Sequence, residues 1–266
     1  MTAGARPAPA PRETLAFAGR VWNVRRPKSF VLVFEGPADD TEPDYLHDVL
    51  VAPAWREAFF RLVDTTGLVV CKNLATRHPT YRDVRGRSSK GRLSQGEYYH
   101  HDGCSGPRKP RIVEIRCPYQ DVARGVATAI APHRAVVRAM LDSLPDELAA
   151  AGELDPWRAR LDGVFDAEEL DPLQGLMNRA IRRALPAGAA RAYFREVDAR
   201  ADAYVEPWGM GESRLIANAH TPVTMQHRRA YLTEHRTGEP NGNLVKRWPD
   251  EELVGDGTCA LDDDGE

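Results

Sequence analysis

The sequence predicts a mainly β fold with flanking helices and one helical insert. Three observations predict it. Short β-branched apolar runs separated by Gly, Pro and Asp fill residues 13–130. Residues 132–200 switch to a helical apolar period, and the β pattern resumes after residue 203. A β region interrupted by a helical excursion and then continued reads as one domain carrying an insert, not as two domains.

The elements follow in order. Residues 1–12 lack an apolar stretch and read as a flexible tail, with a single domain over 13–266 and the insert at about 132–200. SFVLVFEG (29–36) and GLVVCKN (67–73) have the length and branching of strands. Between them Trp55, Phe59, Phe60 and Leu62 recur at helical spacing, so a helix feeds the second strand. PRIVEIRCPY (110–119) alternates as a half-buried strand should. In the insert, one helical stripe carries Val136, Val137, Met140, Leu141 and Leu144, and another carries Leu173, Leu176, Met177, Ala180 and Ile181. Both read as core. SRLIANAH (213–220) and RRAYLTEH (228–235) are the strands expected after the insert, with TPVT as the turn between His220 and the next strand.

Composition narrows the function. The chain has 266 residues, 36 Lys+Arg against 39 Asp+Glu, a net charge of −3 and a pI near 6.3. That balance argues against a nucleic-acid partner. No apolar run reaches the roughly 20 residues of a membrane span. Cys71, Cys104, Cys117 and Cys259 form no C-x-x-C pair. Reduced thiols in a cytoplasmic protein are therefore expected, not a zinc ribbon or a disulfide framework. Only five of the 36 basic residues are Lys, a compositional bias and not a binding signal. The basic run YRDVRGRSSKGR (81–92) reads first as a solvated loop and second as a mobile lid over an anionic substrate.

Two stretches carry chemistry. In GEYYHHDGCSG (96–106), His100 and Asp102 form an H-x-D pair. On an extended strand, residues i and i+2 share a face, so one imidazole and one carboxylate can reach a single metal ion. A second histidine from elsewhere would complete a 2-His-1-carboxylate triad with open positions suited to Fe(II). His101 then points to the opposite face. Residues 212–240 offer His220, His227 and His235, with Arg228, Arg229 and Arg236. His220 is preferred as the distal histidine because it ends an uninterrupted apolar strand. His227, with Arg236 nine residues on, is the alternative, and its M-Q-H-R-R surroundings read as a turn.

The chain resembles the taurine dioxygenase branch of the Fe(II)/2-oxoglutarate-dependent oxygenases, within the clavaminate-synthase-like group. FRLVDTTGLVVCKN (60–73), YHHDG (99–103), RGVATAIAPHRAVVRAMLDSLPDEL (124–148) and GESRLIANAHTPVTMQHRRAY (211–231) carry the resemblance, in the family's order. The resemblance implies a double-stranded β-helix, or jelly roll. It implies His100, Asp102 and His220 as iron ligands and catalytic centre, and Arg229 and Thr128 as the contacts to the 2-oxoglutarate C5 carboxylate. Arg228 stands as a substitute for Arg229, since the stretch after His220 is slightly short. The expected cofactors are Fe(II), 2-oxoglutarate and O2, and the expected reaction is hydroxylation of an unactivated C–H bond of a small metabolite, such as an amino acid or a natural-product intermediate. Tyr98 or Tyr99 would line the substrate pocket. Desaturation or cyclisation would use the same residues. A halogenase would read His101 and Gly103 as an H-x-G pair, and a non-catalytic jelly-roll binding protein would use none of them.

Overall fold

The computed structural model describes residues 13–38, 52–72, 97–102, 110–117, 126–145, 167–209, 212–231 and 245–247. The N-terminal tail, the basic run 81–92, Gly103, Cys104, His235, Arg236 and Cys259 lie outside the described residues.

Two sheets face each other. The larger holds β1 (Glu13–Phe17), β2 (Arg20–Lys28), β3 (Val31–Pro37), β4 (Leu68–Cys71), β5 (Ile112–Arg116), β7 (Ser213–Ala217) and β9 (Val245–Arg247), in the order β1-β2-β3-β4-β7-β5-β9. It is mixed: β3 and β4 run parallel and the other pairs are antiparallel. The smaller sheet pairs β6 (Val126–Pro132) with β8 (Met225–Tyr231), antiparallel. Four helices complete the described residues: α1 (Arg56–Thr66), α2 (His133–Asp142), α3 (Ala167–Ala184) and α4 (Ala187–Arg200). None of them is long and apolar enough to cross a membrane.

The predicted helix before β4 forms as α1, burying Phe59, Phe60 and Val63, whereas Trp55 stays exposed at 41%. The helix connects β3 to the parallel β4, as a parallel pair requires a crossover. It ends at Gly67, whose φ of 103° is glycine territory. A Cβ there would stand 2.8 Å from Met225 Sδ, so this turn and β8 are pressed together.

β4 is buried along its whole length. Its alternate residues serve two layers. Phe34, beside Cys71 in register, packs edge-on against Phe59 of α1. On the other face, Val70 pairs with Arg214 of β7, whose guanidinium lies 3.9 Å from the Trp208 ring centroid and 5.2 Å from that of Tyr204. Arg214 is fully buried, and its Nε donates to Glu212 Oε1 at 2.7 Å. A buried charge is tolerated here because its donors have acceptors. β5 departs from the half-buried expectation: Ile112, Val113, Glu114 and Ile115 are all buried, because β5 lies inside the sheet between β7 and β9 with both faces covered.

The small sheet divides a second core from the first. Ile130 and Met225 join the core of the large sheet. Ala127, Ala129, Ala131 and Ala230, which alternate with them, join a core built from α2, α3 and α4. Small residues on that face let the helices approach closely. The predicted stripes hold: Val136, Val137, Met140, Leu141 and Leu144 of the α2 region are buried, as are Leu173, Met177 and Ile181 of α3. Each fully buried side chain of this size contributes about 1.5–3 kcal/mol. Among the described residues the two sheets do not form the complete jelly roll that the resemblance implies.

Candidate metal centre between the sheets

His100 and Asp102 lie on a short segment that meets β8 through an isolated antiparallel bridge from His100 to His227, with Asp102 in the turn that follows. Their backbones exchange hydrogen bonds: His100 N–H to His227 O at 3.1 Å, and His227 N–H to His100 O at 3.3 Å. The imidazole centroids stand 4.5 Å apart. Asp102 Oδ1 is 3.5 Å from His100 Nε2 and 3.6 Å from His227 Nε2. One donor atom from each residue lies within 4.8 Å of the other two. Asp102 and His227 are buried and His100 is partly so.

The tautomer of His100 follows from its surroundings. Its Nδ1 lies 2.8 Å from the Tyr98 carbonyl oxygen. A carbonyl only accepts, so Nδ1 carries the proton and Nε2 presents its lone pair to the cluster. That Nε2 is buried and has no hydrogen-bond partner among the described residues. Adjacent donors around one six-coordinate divalent ion stand about 3.0–3.5 Å apart, and the two separations from Asp102 Oδ1, 3.5 and 3.6 Å, lie at the upper end of that range.

Asn218 holds the aspartate's backbone in place. Its Oδ1 accepts the Asp102 N–H at 2.9 Å, and its Nδ2 donates to the carbonyls of Asp102 and Pro110 at 3.1 and 2.8 Å. Asn218 is fully buried just beyond β7. The other side of the segment is held by α3: Gln174 and Asn178 donate to the Tyr99 carbonyl at 2.8 and 3.1 Å. Gln174 also hydrogen-bonds Gln226, the neighbour of His227 on β8.

His220 is not part of this cluster. The strand expected to run to residue 220 stops at Ala217, because Asn218 turns its side chain to the Asp102 segment. His220 is exposed in the following turn with φ 55°, a left-handed conformation that histidine adopts more readily than most residues. The polar Q-H-R-R run that reads as a turn is a buried strand. Three of its four polar residues have partners distant in the chain: Gln226 on Gln174, His227 at Asp102, Arg228 on Asp198.

Arg228 and Arg229 diverge as adjacent strand residues must. Arg228 is buried on the helix side, where its Nε donates to Asp198 Oδ1 at 2.8 Å and its guanidinium lies over Phe194 and Tyr99. Burial draws its pKa down, and the hydrogen bonds and charge of Asp198 outweigh this and raise it. Tyr99 donates to the same carboxylate at 2.8 Å, and burial holds its phenol far above its ordinary value. Arg229 shares the His227 face of β8 and pairs in register with Thr128 of β6. Thr128 is buried, and its Oγ1 accepts from Trp208 Nε1 at 3.2 Å, leaving the hydroxyl proton to be donated elsewhere.

His101 points away from the cluster, as predicted, toward His133 and Asp171. Tyr98 and Tyr99 do not line the space between the sheets. Both pack against Phe194 in the helical core. Asn218, Gln174 and Gln226 are missing from the sequence-derived site. An uncharged amide in an apolar strand gives no sign that its partner is a backbone 116 residues away.

No protein-family model matches the chain, and no curated protein matches it significantly. Solved structures do show likeness. PvcB of Pseudomonas aeruginosa is 15% identical, with 92% of this chain and 93% of that one covered at a TM-score of 0.42. A protein of Burkholderia xenovorans described as an α-ketoglutarate-dependent 2,4-D dioxygenase is 16% identical, with 85% and 96% covered at 0.39. AAD-2, solved with Mn(II) and N-oxalylglycine, is 15% identical, with 84% and 94% covered at 0.39. The chain is thus similar to solved structures that include Fe/α-ketoglutarate-dependent oxygenases.

Proposed function

We propose that this chain is a non-haem Fe(II)/2-oxoglutarate-dependent oxygenase, built on a double-stranded β-helix, that oxidises an unactivated C–H bond of a small metabolite. One observation carries the reading: His100, Asp102 and His227 converge from two chain segments with a single oxygen facing two imidazole nitrogens at 3.5 and 3.6 Å. Two neutral imidazoles and one carboxylate suit Fe(II) and leave half of a six-coordinate sphere to ligands from outside the protein. Bound there, iron would supply the redox chemistry that activates O2 against 2-oxoglutarate, which no side chain can do.

The protein's own residues hold and orient. His100 is fixed in the required tautomer and ring orientation by the Tyr98 carbonyl. Asn218 fixes the backbone that carries Asp102. Arg229 and Thr128, paired across β8 and β6 on the His227 face, are the residues we assign to the far carboxylate of 2-oxoglutarate. A guanidinium offers that carboxylate a planar two-point contact, and the Thr128 hydroxyl adds a third. Asp102 within the cluster favours oxygenation over halogenation, because its carboxylate fills the position a halide would need.

The test is anaerobic addition of Fe(II) and then 2-oxoglutarate to the purified apoprotein. Chelation at an open Fe(II) site should give a weak visible charge-transfer band. Admitting O2 should release succinate slowly even without substrate. A chain that binds neither iron nor 2-oxoglutarate is not this enzyme.

A further inference from the structure

His101, next to His100, belongs to a different group of side chains. Its Nδ1 lies 3.1 Å from Asp171 Oδ1, and His133 Nε2 lies 3.7 Å from the same oxygen. The two imidazoles meet edge to face with centroids 4.6 Å apart. One donor atom from each of the three residues lies within 4.8 Å of the other two. His101 and His133 are 4% and 2% exposed, while Asp171 is half-buried at 24%. The three residues come from three elements: the segment bearing His100, the first residue of α2, and the first half of α3.

The geometry points to a second metal site, a tetrahedral one for Zn2+ or a like divalent ion, on the opposite side of the His100 segment from the proposed iron. Zinc with ligand bonds of about 2.0–2.1 Å at the tetrahedral angle places its donors about 3.3–3.4 Å apart. The 3.1 and 3.7 Å separations bracket that value. Two imidazoles and a carboxylate are a preferred zinc donor set, and the exposed edge of Asp171 leaves the fourth position to water. His101 Nε2 is buried with no hydrogen-bond partner among the described residues, so this ring's polar interaction is directed at the cluster through Nδ1.

Such an ion would tie α2 and α3 to the segment that carries His100. The same side of α3 already holds that segment through Gln174 and Asn178, three and seven residues beyond Asp171. Whatever fills its fourth position, the ion would fix the back of the segment whose front bears the proposed iron ligands. The inference stands on its own residues and does not require the oxygenase reading.

The test is anaerobic Co2+ and Zn2+ titration of the chelator-stripped full chain, alongside His227→Ala and Asp171→Asn. Two equivalents should bind per chain. The equivalent at His101, His133 and Asp171 should give the intense visible d–d absorption of tetrahedral Co2+, and the other only the weak bands of higher coordination. His227→Ala should abolish the weak-band equivalent alone. Asp171→Asn, nearly isosteric and still able to accept from His101, should abolish the intense one alone. A parent protein that binds one equivalent, lost only in His227→Ala, overturns the second site and leaves the oxygenase reading intact. One equivalent lost only in Asp171→Asn removes the proposed iron centre and keeps this one. No tight equivalent in the parent overturns both. The parent's Co2+ spectrum alone decides the second site if either variant fails to fold.

Discussion

His100 and His227 are 127 residues apart in sequence, yet each backbone N–H donates to the other's carbonyl, at 3.1 and 3.3 Å. This reciprocal bridge brings their rings together before any metal is considered. His227→Ala and Asp102→Ala should therefore each abolish iron retention, and His220→Ala, an exposed turn residue, should leave it unchanged. Iron per chain after desalting checks this. Loss of iron in His220→Ala with retention in His227→Ala would contradict the geometry.

Arg229→Ala should raise the 2-oxoglutarate requirement for succinate formation by about ten- to a hundredfold, since a charge-assisted bidentate contact is worth roughly 1.5–3 kcal/mol. Arg229→Lys should recover part of that. Iron binding should survive in both.

Arg228→Ala should behave differently from Arg229→Ala. It leaves the partly buried Asp198 without its cation and with only Tyr99 as a side-chain donor, which should lower folding stability. Thermal or urea unfolding should show the loss, while any variant protein that remains folded should keep the parent's 2-oxoglutarate requirement.

Asn218→Ala removes an acceptor from the Asp102 N–H and a donor from two carbonyls. Each buried group so orphaned costs about 1–3 kcal/mol. Supporting contacts of this kind are worth about ten- to a hundredfold in metal affinity. The variant should melt lower and bind iron more weakly although no ligand has changed. Equilibrium dialysis against Fe(II) measures the second effect.

Glu206 supplies a pH dependence. Burial pushes its pKa up, but hydrogen bonds from Arg25 and Tyr204, with the charges of Arg25 and Lys72, outweigh that and hold it below its ordinary value. A depressed folded-state pKa gives stability that is present above the unfolded value of about 4.3 and is lost as pH falls through the folded one. Glu206→Gln should be less stable than the parent at neutral pH, and the gap should close on acidification below about pH 4. Unfolding curves at pH 7 and pH 3.5 compare the two.

Much of this arrangement is legible in the sequence. The H-x-D spacing brings His100 and Asp102 together and His101 away from them, although only His100 is bridged and Asp102 stands in a turn, not on the strand the spacing predicts. The apolar stripes of α2 and α3 are equally local. The proposed distal histidine, His227, is not, because its burial depends on partners that local pattern cannot show. Gln226, His227 and Arg228 are individually polar, and only Gln174, Asp102 and Asp198, all distant in the chain, make them core residues. The apolar run before His220 misleads for the converse reason: the amide of Asn218 ends the strand in order to hold another segment. The half-buried expectation for β5 fails because alternation reports the faces of a strand and not how many layers cover them.

The alternation along β8 has a consequence for how this protein can change. Met225, His227 and Arg229 face one way, and Gln226, Arg228 and Ala230 the other. Beyond Met225, which belongs to the large-sheet core, the odd-numbered positions of this strand face the proposed iron site, and the even-numbered ones face the helical layer. The two sets of constraints meet on one strand without sharing a side chain. Evolution, or a laboratory library, can remodel the proposed iron site at His227 and Arg229 and the positions they face on β6, and it can do so without disturbing the helical layer behind.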